Sequence, residues 1–211
     1  MNRKWVKSAI DFFYSLSALG TFTEIEIEIG FVAPLLPRDM ERLKSRLPAI
    51  IPPPLELFFV ECAASVTFHY LICNDLAGGG KICSAELPDR FDEMYGCGEA
   101  LGNINKEISD RWKSSFPLIA MRNGDFIAFD MATNAENPPI IYLSHDEEII
   151  RTLANCFEEF LDTWARINYA GPEIWDFEDW GFLNPETGLL TPDSPKMAEY
   201  LLQFNKESYA T

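Results

Sequence analysis

Apolar residues recur along this chain with two periods, and the switches between them outline its elements. Trp5, Ala9, Phe12, Leu16 and Leu19 fall three or four apart, which places them on one face of a helix ending near Gly20. Over residues 23–30 the period drops to two. Glu24, Glu26 and Glu28 alternate with Ile25, Ile27 and Ile29, so the segment predicts a half-buried strand whose acidic face looks at solvent or at a partner. Such a face also discourages edge-to-edge pairing. Residues 37–47 predict a helix opened by Pro37 and closed by Pro48, and the apolar run after Pro52-Pro53-Pro54 predicts a second. Residues 66–73 read as a strand, with Asn74-Asp75 and Ala77-Gly78-Gly79-Gly80 as a flexible turn after it. Residues 84–110 are weakly periodic, with a helix expected from about 99 to 110.

The second half is clearer. Two short apolar runs, 118–121 and 126–129, flank Arg122-Asn123-Gly124-Asp125, and Asn-Gly between such runs predicts a hairpin. Residues 140–143 supply a further strand. Ile150, Leu153, Ala154, Phe157, Phe160, Leu161 and Trp164 share a broad helical face, which predicts one long helix over 149–167 covering an antiparallel meander. A last helix is expected over about 195–204. The whole reads as a single α+β domain, an antiparallel β-meander packed against several helices.

Charge narrows the choice of partner. Against 17 Lys and Arg the chain carries 33 Asp and Glu, a formal net charge of -16, and the first fifty residues are nearly balanced. A field of that sign repels phosphate backbones and anionic headgroups and speeds encounter with a basic protein. No nucleic acid or membrane partner is expected. No stretch of about 18 apolar residues is present. Arg3 and Lys4 ahead of residues 10–19 have the outline of a secretion signal, but Asp11 interrupts it, so the segment is expected to stay on a cytoplasmic protein.

Candidate chemistry is sparse. Cys62, Cys73, Cys83, Cys97 and Cys156 are odd in number and form no C-x-x-C pair, as expected of reduced thiols. With only His69 and His145 beside them, no metal site and no cofactor are expected. Gly78-Gly79-Gly80-Lys81 is followed by Ile82, where a phosphate loop needs a hydroxyl residue. Asp125 and Asp130 are expected to bond turn amides or cap strand ends rather than to form a catalytic pair. His145 and Asp146, adjacent on an extended strand, would point to opposite faces. There is no G-x-S-x-G elbow. Catalytic residues are therefore expected to be none.

The order of elements, together with several motifs, resembles the SUKH superfamily of fungal cell-wall synthesis regulators and bacterial immunity proteins. The motifs are Pro53-Pro54-Leu55-Glu56-Leu57-Phe58-Phe59, Trp112 with Phe116-Pro117-Leu118-Ile119-Ala120, Gly124-Asp125-Phe126-Ile127-Ala128-Phe129-Asp130, Ile141-Tyr142-Leu143-Ser144-His145-Asp146, and Cys156-Phe157-Glu158-Glu159-Phe160-Leu161. The likeness spans about 37–168, leaving 1–36 as an N-terminal elaboration and 169–211 as an acidic, aromatic extension. It implies a SUKH-like fold and a non-enzymatic protein-binding role. The foremost version is an immunity protein that neutralises a basic toxin domain, such as a nuclease. An adaptor without a toxin partner is the alternative, and a hydrolase with an unidentified site the third.

The partner-binding residues are expected in the acidic stretch between Asp146 and Asp179, which holds ten acidic and two basic residues. Within it, Trp175, Phe177 and Trp180 alternate with Asp176, Glu178 and Asp179 just after Glu173. That pattern combines aromatic anchors with steering charge. The competing expectation is that these aromatics tuck the extension onto the core. The cysteine reading has its own test: thiol labelling in denaturant with intact mass should report five reactive thiols and retention of residues 1–20. Fewer thiols, or loss of that segment, would refute it.

Overall fold

The computed structural model describes residues 4–19, 25–72, 76–146 and 150–204. Helix α1 (Lys4–Leu19) leads into strand β1 (Ile25–Val32), followed by helices α2 (Pro37–Lys44) and α3 (Pro53–Glu61). Strands β2 (Ser65–Ile72) and β3 (Leu76–Cys83) complete an antiparallel sheet of order β1-β2-β3. A 3-10 turn over Ser84–Glu86 opens onto helices α4 (Leu87–Leu101) and α5 (Lys106–Ser114). Strands β4 (Phe116–Ala120), β5 (Phe126–Phe129), β6 (Ile140–Leu143) and β7 (Ile150–Ala154) form a second antiparallel sheet in sequential order. Helices α6 (Phe157–Arg166), α7 (Ile174–Asp179) and α8 (Met197–Gln203) close the chain.

The expected α+β architecture and meander are present. Trp112, Phe126, Phe157 and Phe160 are fully buried, so the helix after the meander does cover it. Helix α1 buries Trp5, Ala9, Phe13 and Leu16, with Phe13 against Phe68 and Phe12 against Tyr70 of β2. Cys83, Cys97 and Cys156 carry free thiols and Cys62 is buried; Cys73 lies outside the described residues.

Three expectations fail, the first and third for tertiary reasons and the second through local caps. The glycines expected to form a turn lie inside β3, with Tyr70 opposite Gly78 and Phe68 opposite Gly80. They are glycine because of what approaches them. A Cβ on Gly78 would fall 2.2 Å from the Tyr70 ring, and one on Gly80 would meet Trp164 at 3.2 Å and Ile119 at 3.3 Å. The Asn74-Asp75 part of that expected turn lies outside the described residues. The helix expected over 99–110 is instead two helices. Helix α4 starts at Leu87, with Pro88 in its first turn, and α5 is capped by the Asn105 side chain, which accepts from the amides of Glu107 and Ile108. The long helix over 149–167 is a strand and a helix. Ile150, Arg151 and Thr152 pair with Leu143, Tyr142 and Ile141, and extended backbone at Cys156 separates that strand from α6. The spacing of Ile150, Leu153 and Ala154 fits a helical face, but β6 offers a ladder that two β-branched residues fill well.

Arg90 ties the two sheets together. Its buried guanidinium donates to the carbonyls of Leu118 in β4 (2.5 Å) and Lys81 in β3 (2.9 Å) and pairs with Glu86 at 2.9 Å. Asp130, equally buried, is held bidentately by Arg111 and accepts from Thr133. Its role is structural.

Truncating Phe160, which stacks on Trp164 at 5.2 Å, to alanine should cost roughly 3–5 kcal/mol on chemical denaturation. Gly78→Ala should destabilise strongly through the Tyr70 clash. Gly96→Ala, in α4 with nothing near a new Cβ, should instead stabilise by about 0.5–1 kcal/mol. Equal effects of the two glycine changes would refute the packing role given to β3.

Candidate protein-binding face

The segment that delivers α7 is anchored before the helix begins. Asn168 and Tyr169 both adopt positive φ, turning the chain sharply at the end of α6. The Trp164 indole donates to the Ala170 carbonyl at 2.7 Å, and the Gly79 amide donates to the Tyr169 carbonyl at 2.6 Å, stitching the turn to β3. At Gly171, also at positive φ, an added Cβ would fall 2.5 Å from the Phe177 ring. Helix α7 therefore packs directly on backbone. Ile174 and Phe177 are buried beneath it, Trp175 is 49% exposed, Trp180 is half-buried against Tyr200, and Glu178 and Asp179 face solvent.

Polar contacts fix the start of the helix. The Tyr142 hydroxyl donates to Asp125 and accepts from the Ile174 amide at 3.3 Å. The Asn123 amide group donates to both Asp125 and Glu173 at 2.9 Å. Asp125 also accepts from the backbone amide of His145 at 2.9 Å, the amide-bonding role expected of it, and its carboxylate lies 2.7 Å from the His145 ring. The other ring nitrogen of His145 lies 3.0 Å from Asp146. The expectation that His145 and Asp146 diverge is thus wrong, because β6 ends at Leu143 and a bend, rather than extended strand, carries both residues. The network Asn123–Asp125–Tyr142–His145–Glu173 is assembled from the β4–β5 turn, β6 and α7. The turn signal made Asp125 visible in the sequence. Nothing local links it to Glu173 some fifty residues away.

Burial works against the Asp125 carboxylate, yet hydrogen bonds from Tyr142, His145 and Asn123 outweigh it and hold its pKa below the usual value. Glu173 moves the other way, raised by burial and by the charge of Asp125. Burial, then the charges of Glu173 and Asp179, push Asp176 up to about 7. Arg151 pairs with Glu178 at 2.8 Å, and the Lys196 ammonium donates to the Asp179 carbonyl at 2.6 Å. The face is thus an acidic rim around one exposed indole. The expected residues are split by depth: Trp175, Glu178 and Asp179 are accessible, Glu173, Asp176 and Trp180 partly so, and Phe177 is core. The alternation read as surface anchors becomes, in a helix, one aromatic outward and one inward.

Among the described residues, no group of three or more His, Cys, Asp or Glu side chains converges to hold a metal ion. No helix among them is long and apolar enough to cross a membrane.

Because the Asp176 pKa is raised by folding, the folded chain binds that proton more tightly than the unfolded chain does. Stability from this group is therefore present below about pH 4 and is lost as pH rises towards about 7. Asp176→Asn should leave stability near wild type at pH 4 and raise it by about 1–3 kcal/mol at pH 8. Denaturation at both pH values checks this; a variant no more stable at pH 8 would refute the strain placed at Asp176.

The model of the SMI1 / KNR4 family (SUKH-1) matches residues 34–163, which run from the lead into α2 to the middle of α6. No curated protein matches the chain. The match covers more than half of the sequence and includes the meander, Trp112 and the first part of α6, and membership supports a protein-binding or immunity-type role in general terms. The chain belongs to the SMI1 / KNR4 family (SUKH-1).

Proposed function

We propose that this protein is an immunity protein that works without catalysis in the cytoplasm, binding a basic toxin domain through the α7 face. One observation carries the reading: Trp175 stands half out of a helix whose underside is locked by Ile174 and Phe177 and whose rim bears Glu178 and Asp179. A rigid, exposed aromatic loses little entropy on binding, and surrounding carboxylates steer a cationic partner into contact. Family membership supports the protein-binding part of this reading. The acidity supports a partner with a basic groove, as in a nuclease.

Affinity purification from the native cell, with the captured protein identified by mass, supplies the partner. A toxin domain favours immunity; a housekeeping protein moves the reading to an adaptor of the same family. With the partner in hand, Glu178→Lys with Asp179→Lys should slow association about tenfold or more and flatten its salt dependence. Trp175→Ala should chiefly speed dissociation. None of the three positions is core, so melting should be little changed. Unchanged association and dissociation rates in both variants would refute the α7 face.

A further inference from the structure

We propose a second interaction surface, the outer edge of β1, which takes up an extended partner strand that alternates basic with apolar residues. Strand β1 pairs with β2 from Ile25↔Ile72 to Val32↔Ser65. Among the described residues, its stretch from Ile25 to Phe31 makes no other backbone hydrogen bond. An eight-residue strand with one side paired presents a row of amides and carbonyls on the other, which is a template for strand addition. The edge also exposes apolar side chains beside its glutamates. Ile29, Phe31 and Val32 are 38%, 46% and 55% exposed.

The alternation along β1 specifies the occupant. Ile27, Ile29 and Phe31 face the side on which α1 packs, and beside them a mainly apolar recess of about 400 Å³ is lined by Val6, Lys7, Ile10, Phe31, Pro34 and Cys62. Apolar side chains of an added strand would enter that side. Glu26 and Glu28 face the other side and are exposed. Their cross-strand partners in β2 are Leu71 and His69, and the nearby Lys81 of β3 is paired with Glu86. Side chains directly opposite across a new ladder come within about 5 Å, so positions facing Glu26 and Glu28 favour Lys or Arg. The same rule disfavours a second copy of this chain, since pairing β1 with itself over most of its length, in either direction, sets glutamate opposite or diagonal to glutamate. Strand β1 lies outside the residues matched by the family, and the proposal does not depend on the α7 face.

The test uses the full chain, nitrogen-15 labelled, and two capped peptides, one alternating lysine with valine and the other glutamate with valine. At low salt the lysine peptide should shift amides of β1 and β2 and leave those of α7 unmoved, while the glutamate peptide should not bind. Glu26→Lys with Glu28→Lys, both exposed, should weaken the lysine peptide about tenfold and admit the glutamate peptide. Phe31→Ser should weaken binding with every glutamate in place. Thermal melting confirms that each variant is folded. Absence of binding, shifts confined to α7, indifference to the charge reversal, or a concentration-dependent dimer built on β1 would each overturn the proposal.

Discussion

The approach of Trp164 to bare backbone at Gly80 is the constraint from which the rest of the arrangement follows. At that point α6, β3 and β4 meet, because the space a side chain on Gly80 would occupy is shared by Trp164 and Ile119. With the indole seated, Phe68 lies 5.1 Å and Tyr169 5.7 Å from it, and its N–H secures Ala170. That sequence of contacts turns the chain after α6 and delivers α7 onto the end of the second sheet. A bulkier residue at Gly80 would therefore be felt on the α7 face without lying near it, as expected where close-packed interiors transmit displacement.

The face so delivered stores electrostatic strain. Asp125 is satisfied by four hydrogen bonds from Asn123, Tyr142 and His145 and stays charged, and its charge together with burial raises Glu173. Asp176 is raised first by burial and then by the charges of Glu173 and Asp179. Like charges held this closely cost folding energy that water only partly screens. A cationic surface set over α7 would reverse the sign of that interaction, so under the proposed function the strain of the free protein becomes selectivity for a basic partner.

The sequence made the meander, the amphipathic N-terminal helix and the proline-led helices readable, because each is written in local period or in a local stop signal. Gly78-Gly79-Gly80 was opaque for a definite reason. Glycine marks both turns and close approaches, and only the distant Tyr70, Trp164 and Ile119 decide between them. Ile150 to Ala154 was opaque because five residues can satisfy both a helical face and a strand, and pairing with β6 breaks the tie. At the candidate site, the composition of residues 173–180 singled out the segment that forms α7, though not its helical form. It could not show that Phe177 faces inward, since alternation in sequence becomes opposition across a helix.

The family match ends within α6 and begins after β1, so α1, β1, α7 and α8 all lie outside it. Both proposed surfaces belong to those elements. The shared core supplies rigidity: Arg90 bridges the two sheets, and Tyr142 and Asp125 reach out from the meander to hold the first turn of α7. The elements outside the match carry exposed aromatic and acidic groups at opposite ends of the sequence. Under the proposed function, a fold used this way keeps its packing fixed while its partner is chosen by elements outside the matched span, which tolerate substitution on whichever face is exposed. Helix α7 fits that division. Its buried Ile174 and Phe177 must match the core, whereas the exposed Trp175, Glu178 and Asp179 would, under the proposed function, meet the partner.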